Sequence, residues 1–288
     1  MNAVFFYVPL DTERDKTGYF RQLAAALPVN RPHFRKTLLY TSRGATIPDG
    51  AGMDTVVRLD SNETQYPHYM RVVSWLAYLE SSLFDADSAF LDADVVLNRP
   101  LDDAFKQDFS LAFSAMPSEK AYSCINTGVI LARHARKAEA ISIMREVANV
   151  ATRLKLVPDP RFPMMKSSGR WGLDELCLNH YFEERASEQH ASLRAVAESI
   201  EFDEIRCVFG TSAALSGEKF NTDARYLDES LWHQPSGLHF PGQPKDKLYE
   251  YCAALGKKLR APGQSEGADA RGSGSLIAWI WRLLSRRG

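Results

Sequence analysis

Asp92-Ala93-Asp94 follows directly on the apolar run Ala89-Phe90-Leu91. Two carboxylates one residue apart, at the end of a strand, can hold a hard divalent cation such as Mn²⁺ or Mg²⁺, which prefers oxygen ligands and shares them with substrate phosphates. The cation would neutralise charge developing on a departing diphosphate. Far along the chain stands His239-Phe240-Pro241-Gly242-Gln243-Pro244-Lys245. A neutral imidazole from His239 completes a site made of two aspartates, Gly242 lets backbone approach a phosphate closely, and Lys245 supplies positive charge. Asn126-Thr127-Gly128 precedes an apolar run and offers an amide and a hydroxyl that could read sugar hydroxyls, although a turn explains it equally well. Asp174 and Glu175, in Trp171-Gly172-Leu173-Asp174-Glu175, open a helix; Asp174 is either its cap or a carboxylate placed to stabilise an oxocarbenium-like centre.

The elements that must position these residues are legible from periodicity. Val4 to Val8, Lys36 to Tyr40, Thr55 to Leu59 and Ser88 to Asp92 read as strands. Thr17 to Leu27 and Tyr69 to Phe84 read as helices between them, the second with Val72, Val73, Leu76, Leu79 and Leu83 at helical spacing. This alternation predicts a doubly wound α/β domain, parallel at its centre, whose ligands lie outside the carboxyl ends of the strands. Strands are expected at Ser110–Ser114 and Gly128–Leu131, and helices at Ala135–Leu156 and Asp174–Glu184. Loops are expected after Pro158 and over Gly210–Tyr226, with Leu238 to Pro241 closing the domain.

The 288 residues suffice for one large α/β domain or two small ones, and 45% hydrophobic with 25% charged content is that of a globular protein. A net charge of -1 provides no field to hold nucleic acid. The four cysteines form no Cys-x-x-Cys pair, which reads against zinc and for buried, reduced thiols of a cytoplasmic protein. The N-terminus has no basic segment ahead of a long apolar one, so it is read as a strand, not a signal peptide. No stretch is long and apolar enough to span a bilayer.

Composition shifts near the end. The domain is assigned to residues 1–256, a flexible Gly/Ser linker to 257–275, and a basic amphipathic helix to 276–288, with Trp279 and Trp281 flanked by Arg282, Arg286 and Arg287. From Lys257 onward there are seven Lys/Arg and two Asp/Glu, a local charge of +5 against -6 for the rest. Such a helix suits an anionic membrane surface, here the inner membrane face, or docks on its own domain or on a partner subunit.

Taken in order, Asp92-Ala93-Asp94, Asn126-Thr127-Gly128, Leu173-Asp174-Glu175 and His239 with Gly242 and Lys245 resemble the motifs of glycosyltransferase family 8, over roughly Val4 to Lys245. The resemblance implies a GT-A fold, a mixed and centrally parallel sheet flanked by helices. It also implies a nucleotide-sugar donor, usually a UDP-sugar, and Mn²⁺ (or Mg²⁺) held by Asp92, Asp94 and His239. A hexose would pass to a glycan or lipid-linked acceptor with retention of configuration. Gly242 and Lys245 would touch the diphosphate, Asn126 and Asp174 the donor sugar, and Arg71 corresponds to a basic residue near the donor. Tyr7 or Tyr19 is the candidate to stack on the base. Where the family carries Asp-Gln this chain has Asp174-Glu175, and Glu175 is a better nucleophile than an amide. Two other readings of the acidic pair stand beside this one. One is a haloacid-dehalogenase-type phosphatase, in which the first aspartate attacks phosphorus. The other is a non-catalytic binding protein of the same fold.

Overall fold

The computed structural model describes residues 1–8, 18–47, 51–60, 63–116, 124–157, 159, 172–188, 193–201, 204–241 and 245–259. Gly242, the linker beyond Leu259 and the C-terminal basic segment lie outside the described residues, as do the prolines at 158, 160 and 163.

The first half alternates as the periodicity predicts. β1 (Asn2–Tyr7), α1 (Gly18–Asn30), β2 (Lys36–Ser42), β3 (Thr55–Leu59), α2 (Pro67–Glu80) and β4 (Ser88–Leu91) follow in order. Then come β5 (Val95–Leu97), β6 (Leu111–Ala115), β7 (Ile125–Ala132), α3 (Lys137–Leu156), α4 (Leu173–Glu188), α5 (Leu193–Ser199), β8 (Ile205–Phe209), β9 (Ser212–Ser216), α6 (Gly217–Phe220), β10 (Thr222–Asp223), β11 (Gly237–His239) and α7 (Lys245–Leu259). Eight strands form one sheet in the order β3-β2-β1-β4-β7-β6-β9-β8, and a small sheet runs β10-β11-β5. β3, β2, β1 and β4 are mutually parallel, whereas β7 is antiparallel to β4 and to β6.

The sheet is covered on both faces, so its strands are apolar throughout instead of alternating. Val4, Leu38, Tyr40, Phe90, Phe113 and Ile130 face a core closed by Trp75 and Tyr78 of α2, Met144 and Val147 of α3, and Leu176 and Phe182 of α4. Ala3, Phe5, Leu39, Leu91 and Leu131 face the opposite core with Leu23 and Leu27 of α1. A third cluster joins Val96 and Leu238 of the small sheet to Leu248 and Cys252 of α7. Fully burying each such side chain contributes about 1.5–3 kcal/mol, and the acidic pair is mounted at the edge of this packed slab.

Four expectations need correction. Gly210–Tyr226 holds β9, α6 and β10, not mainly loop. Ser212-Ala-Ala-Leu-Ser216 has little strand propensity of its own and is a strand because it pairs with β6 and β8. The chain does not close at Pro241, since α7 follows and packs on α1. Asn126-Thr127-Gly128 lies inside β7, not ahead of it: Phe113 pairs with Ile130 but Ser114 with Asn126, so Thr127 to Val129 bulge from the ladder. Of the cysteines, Cys124, Cys177 and Cys252 are buried as expected, but Cys207 is exposed, because β8 is an edge strand. No described helix is long and apolar enough to cross a membrane.

Candidate active site

β4 ends at Leu91, and the chain turns through Asp92 to Asp94 before entering β5. Asp92 N–H donates to Gly128 O at 3.0 Å and Val95 N–H to Asp92 O at 3.2 Å, so the turn is fastened to the β7 bulge and to itself. β5 pairs with β11, placing Val95 opposite His239, and Phe240 N–H donates to Asp94 O at 3.1 Å. His239 Nε2 thereby lies 3.6 Å from Asp92 Oδ2 and 3.4 Å from Asp94 Oδ1. Among the described residues these three form the group that can hold a metal ion, with one ligand atom of each within 4.8 Å of the others. Two carboxylate oxygens and one imidazole nitrogen suit Mn²⁺ or Mg²⁺, with the remaining positions left to water or phosphate.

The second oxygen of each carboxylate is held by a cation. Arg71 of α2 pairs with Asp92 Oδ1, and Lys245, at the start of α7, pairs with Asp94 Oδ2. Lys245 Nζ also donates to Phe240 O at 2.6 Å. The carboxylates are thus oriented with one oxygen each toward His239. Burial opposes ionisation of Asp94, but His239 and Lys245 more than offset it and hold the carboxyl well below the usual range. Burial raises the Asp92 carboxyl, against the pull of Arg71. The His239 imidazolium is disfavoured by burial, yet Asp94 raises its pKa overall.

Arg71 is not a surface arginine. It bridges to Asp174 Oδ2 at 3.0 Å, donates to Thr127 O at 2.9 Å, and lies over the Trp75 ring at 5.1 Å. Gly172, at φ 76°, turns the chain into α4 and puts Asp174 and Glu175 in its first turn. Asp174 is 1% exposed, and its carboxylate also meets His68 Nδ1 at 2.7 Å. Its side chain is therefore directed to Arg71 and His68. Against its own burial, His68 and Arg71 keep Asp174 ionised. Glu175 is treated oppositely: burial, then the Asp174 charge, push its carboxyl up to about 7.

Asn126 accepts the Gly128 N–H at 2.8 Å and the Asn221 amide at 2.5 Å on Oδ1. Tyr7, at the end of β1, stacks obliquely on Tyr19 of α1 at 4.9 Å, and the buried Tyr19 hydroxyl has no partner among the described residues. Burial and the nearby Asp92 raise its pKa. Phe240 and Pro241 also wall a cleft of about 360 Å³ with Arg225, Asp228, Trp232 and Lys247.

The structure thus brings Asp92, Asp94, His239, Lys245, Arg71 and Asp174 into one network. Glu175 stands beside Asp174, and Tyr7 and Asn126 lie at the same end of the sheet. His68 and Asn221 belong to the site and carry no sequence signal. Neither lies in a recognisable motif, and only the pairing of distant elements reveals them.

Sequence comparison finds no matching family model and no matching curated protein. Comparison of three-dimensional structure does find similar folds. The glycosyltransferase GlyE of Streptococcus pneumoniae TIGR4 superposes with a TM-score of 0.54 at 15% identity, over 98% of this chain and 64% of that one, so this chain spans just under two thirds of GlyE. The galactosyltransferase LgtC, in complex with donor and acceptor sugar analogs, superposes with a TM-score of 0.50 at 14% identity, over 92% of this chain and 98% of that one. The mixed α/β architecture is therefore the GT-A glycosyltransferase fold expected from the motifs.

Proposed function

We propose that the protein is a metal-dependent glycosyltransferase that moves a hexose from a nucleoside diphosphate, UDP for preference, to a glycan or lipid-linked acceptor with retention of configuration. The observation that carries this reading is the convergence of Asp92, Asp94 and His239, flanked by Arg71 and Lys245, at the edge of a GT-A sheet. Acidic ligands for a cation and two adjacent cationic side chains are what a diphosphate leaving group requires.

Asp92, Asp94 and His239 would hold Mn²⁺ (or Mg²⁺), and the bound ion supplies Lewis-acid stabilisation of the diphosphate. Lys245 and Arg71 add hydrogen bonds and positive charge to the phosphate oxygens, and Gly242 lets backbone come close to them. Tyr7 or Tyr19 covers the base. Asn126 and Asp174 orient the sugar hydroxyls. As the bond from the anomeric carbon to the diphosphate oxygen breaks, the leaving oxygen keeps the electron pair and Asp174 stabilises the positive centre. Retention follows if the acceptor hydroxyl adds on the face the diphosphate leaves, passing its proton to the departing phosphate oxygen. It also follows if the Glu175 carboxylate first forms a glycosyl ester that the acceptor hydroxyl then displaces, freeing the carboxylate and again giving its proton to the diphosphate. Residues 276–288 would hold the enzyme at an anionic membrane surface near lipid-linked acceptors. No observation favours the phosphatase, whose acidic motif ends the first strand; here it ends β4.

The test is a thermal-shift titration with UDP, GDP and UDP-sugars, each with and without Mn²⁺. Ligands that bind the native state alone raise Tm by mass action. A shift that needs both one nucleotide and Mn²⁺, and that is lost in Asp94→Ala, is expected. No shift with any nucleotide overturns the proposal.

A further inference from the structure

Asn221 is fully buried and stands between α6 and β10. β10 pairs in parallel with β11, with Asp223 in register with His239, and this pairing carries Asn221 alongside the histidine. Its Nδ2 donates to Asn126 Oδ1 at 2.5 Å. Asn126 Oδ1 also accepts the Gly128 N–H at 2.8 Å, so it is an oxygen. The Asn221 atom facing it must then be the nitrogen, which fixes the amide and leaves Oδ1 pointing the other way. That oxygen is buried and accepts no hydrogen bond among the described residues.

Asn221 Oδ1 shares the space over the Gly128 α-carbon with the His239 ring. A Cβ on residue 128 would lie 2.6 Å from Asn221 Oδ1, 2.8 Å from His239 Nδ1 and 2.9 Å from His239 Cε1. The nitrogen on this side is the one not turned to Asp92 and Asp94. A buried carbonyl oxygen without a donor and a ring nitrogen turned away from the carboxylates thus face the same small space, with no hydrogen bond drawn between them.

We infer that Asn221 is a positioning residue for His239: its donorless Oδ1 is the acceptor on which the Nδ1–H settles, which would fix the ring and keep the Nε2 lone pair aimed between Asp92 and Asp94 for a metal ion. The inference rests on reading those three residues as metal ligands. Histidines that ligate metals donate their other N–H to an oxygen in this way, and the partner raises affinity by holding tautomer and orientation. Asn126 anchors the Asn221 amide, and Gly128 provides the space in which asparagine and imidazole meet. The Asn126-x-Gly128 spacing therefore serves the metal site from behind.

The test titrates Mn²⁺ alone into wild type, Asn221→Ala and Asp94→Ala, with free Mn²⁺ read by electron paramagnetic resonance and the fold checked by circular dichroism. Asn221→Ala is expected to bind Mn²⁺ about 10- to 100-fold more weakly, and Asp94→Ala not measurably. Wild-type affinity in a folded Asn221→Ala overturns the positioning role. Failure of wild type itself to bind Mn²⁺ overturns the metal reading, and with it the purpose assigned to the contact. The contact has its own test in unsubstituted, metal-free protein, by ¹⁵N-histidine nuclear magnetic resonance, with the His239 signals identified by their loss in His239→Gln. An Nδ1–H protected from solvent exchange is expected. An Nδ1 without a proton, or one exchanging as an exposed imidazole does, overturns the inference whether or not Asn221→Ala folds.

Discussion

The Lys245 ammonium and the Asp94 carboxylate form an ion pair where α7 meets the acidic turn. The same ammonium is the one assigned to the donor diphosphate, so it has two competing partners. A divalent cation at Asp94 brings positive charge close to Nζ, and a diphosphate offers Nζ a new acceptor. Lys245→Ala is therefore expected to tighten Mn²⁺ binding in the absence of nucleotide and to weaken UDP binding in the presence of Mn²⁺. Each change should be about 1–2 kcal/mol, or roughly tenfold in Kd. Calorimetric titration of the two ligands, separately and together, measures both signs. Loss of both affinities would make Lys245 a structural partner of Asp94 and nothing more.

Asn30 gives the acidic turn its other anchor. Its Nδ2 donates to Val95 O and its Oδ1 accepts from Leu97 N–H, both at 2.8 Å, so one side chain satisfies two backbone groups of β5. Asn30→Ala leaves both groups buried without partners, at a cost of about 2–4 kcal/mol. Urea unfolding should show this loss, and Mn²⁺ affinity should fall with it because Asp94 precedes β5 directly. Asn30→Asp keeps one of the two bonds and is expected to fall between. A stability within error of wild type for Asn30→Ala would remove Asn30 from the account of the turn.

How much of this was legible in the sequence depends on the distance over which each signal acts. Asp92, Asp94, His239 and Lys245 are short motifs with characteristic chemistry, and the elements of the first half follow from local periodicity. Asn30, His68 and Asn221 act across the fold and carry no local pattern; an asparagine at a helix end or before a two-residue strand looks like any other turn residue. β5 is three residues long and β9 is built of small residues, so neither announces a strand. Both exist because neighbouring strands supply their hydrogen bonds. The Asn-Thr-Gly motif was visible as a motif, but its place inside β7 depends on a register shift that local sequence does not encode.

Glu175 should give the proposed transfer a pH-dependent limb. Burial and the Asp174 charge push its carboxyl up to about 7, so it is protonated below that pH and ionised above it. If the carboxylate is the nucleophile, kcat rises with pH through about 7, and Glu175→Gln removes both the limb and most of the activity. Linkage gives an independent sign. The folded protein binds this proton up to about 7, whereas an ordinary glutamate releases it near 4.5. Wild type should therefore lose stability relative to Glu175→Gln as pH rises between those values. Denaturation of both proteins across that window reads the difference. A pH-independent difference returns Glu175 to an ordinary surface value.

Gly128→Ala probes the space between the metal site and its support. The added methyl would meet Asn221 Oδ1 at 2.6 Å and the His239 ring at 2.8 and 2.9 Å, closer than carbon approaches such atoms. Both neighbours are buried, so neither can swing into solvent. The imidazole or the bulge must shift, at a cost of about 1–3 kcal/mol. Because the shift acts on His239, Mn²⁺ affinity should fall together with stability. Gly44→Ala is the matched control, since a Cβ there meets nothing within 4 Å and should change stability by no more than about 0.5 kcal/mol. If Gly128→Ala lowers the unfolding midpoint but binds Mn²⁺ as wild type does, the bulge has absorbed the strain without moving His239. The glycine would then serve the sheet alone, and the close approach of strand, asparagine and histidine would not govern the metal.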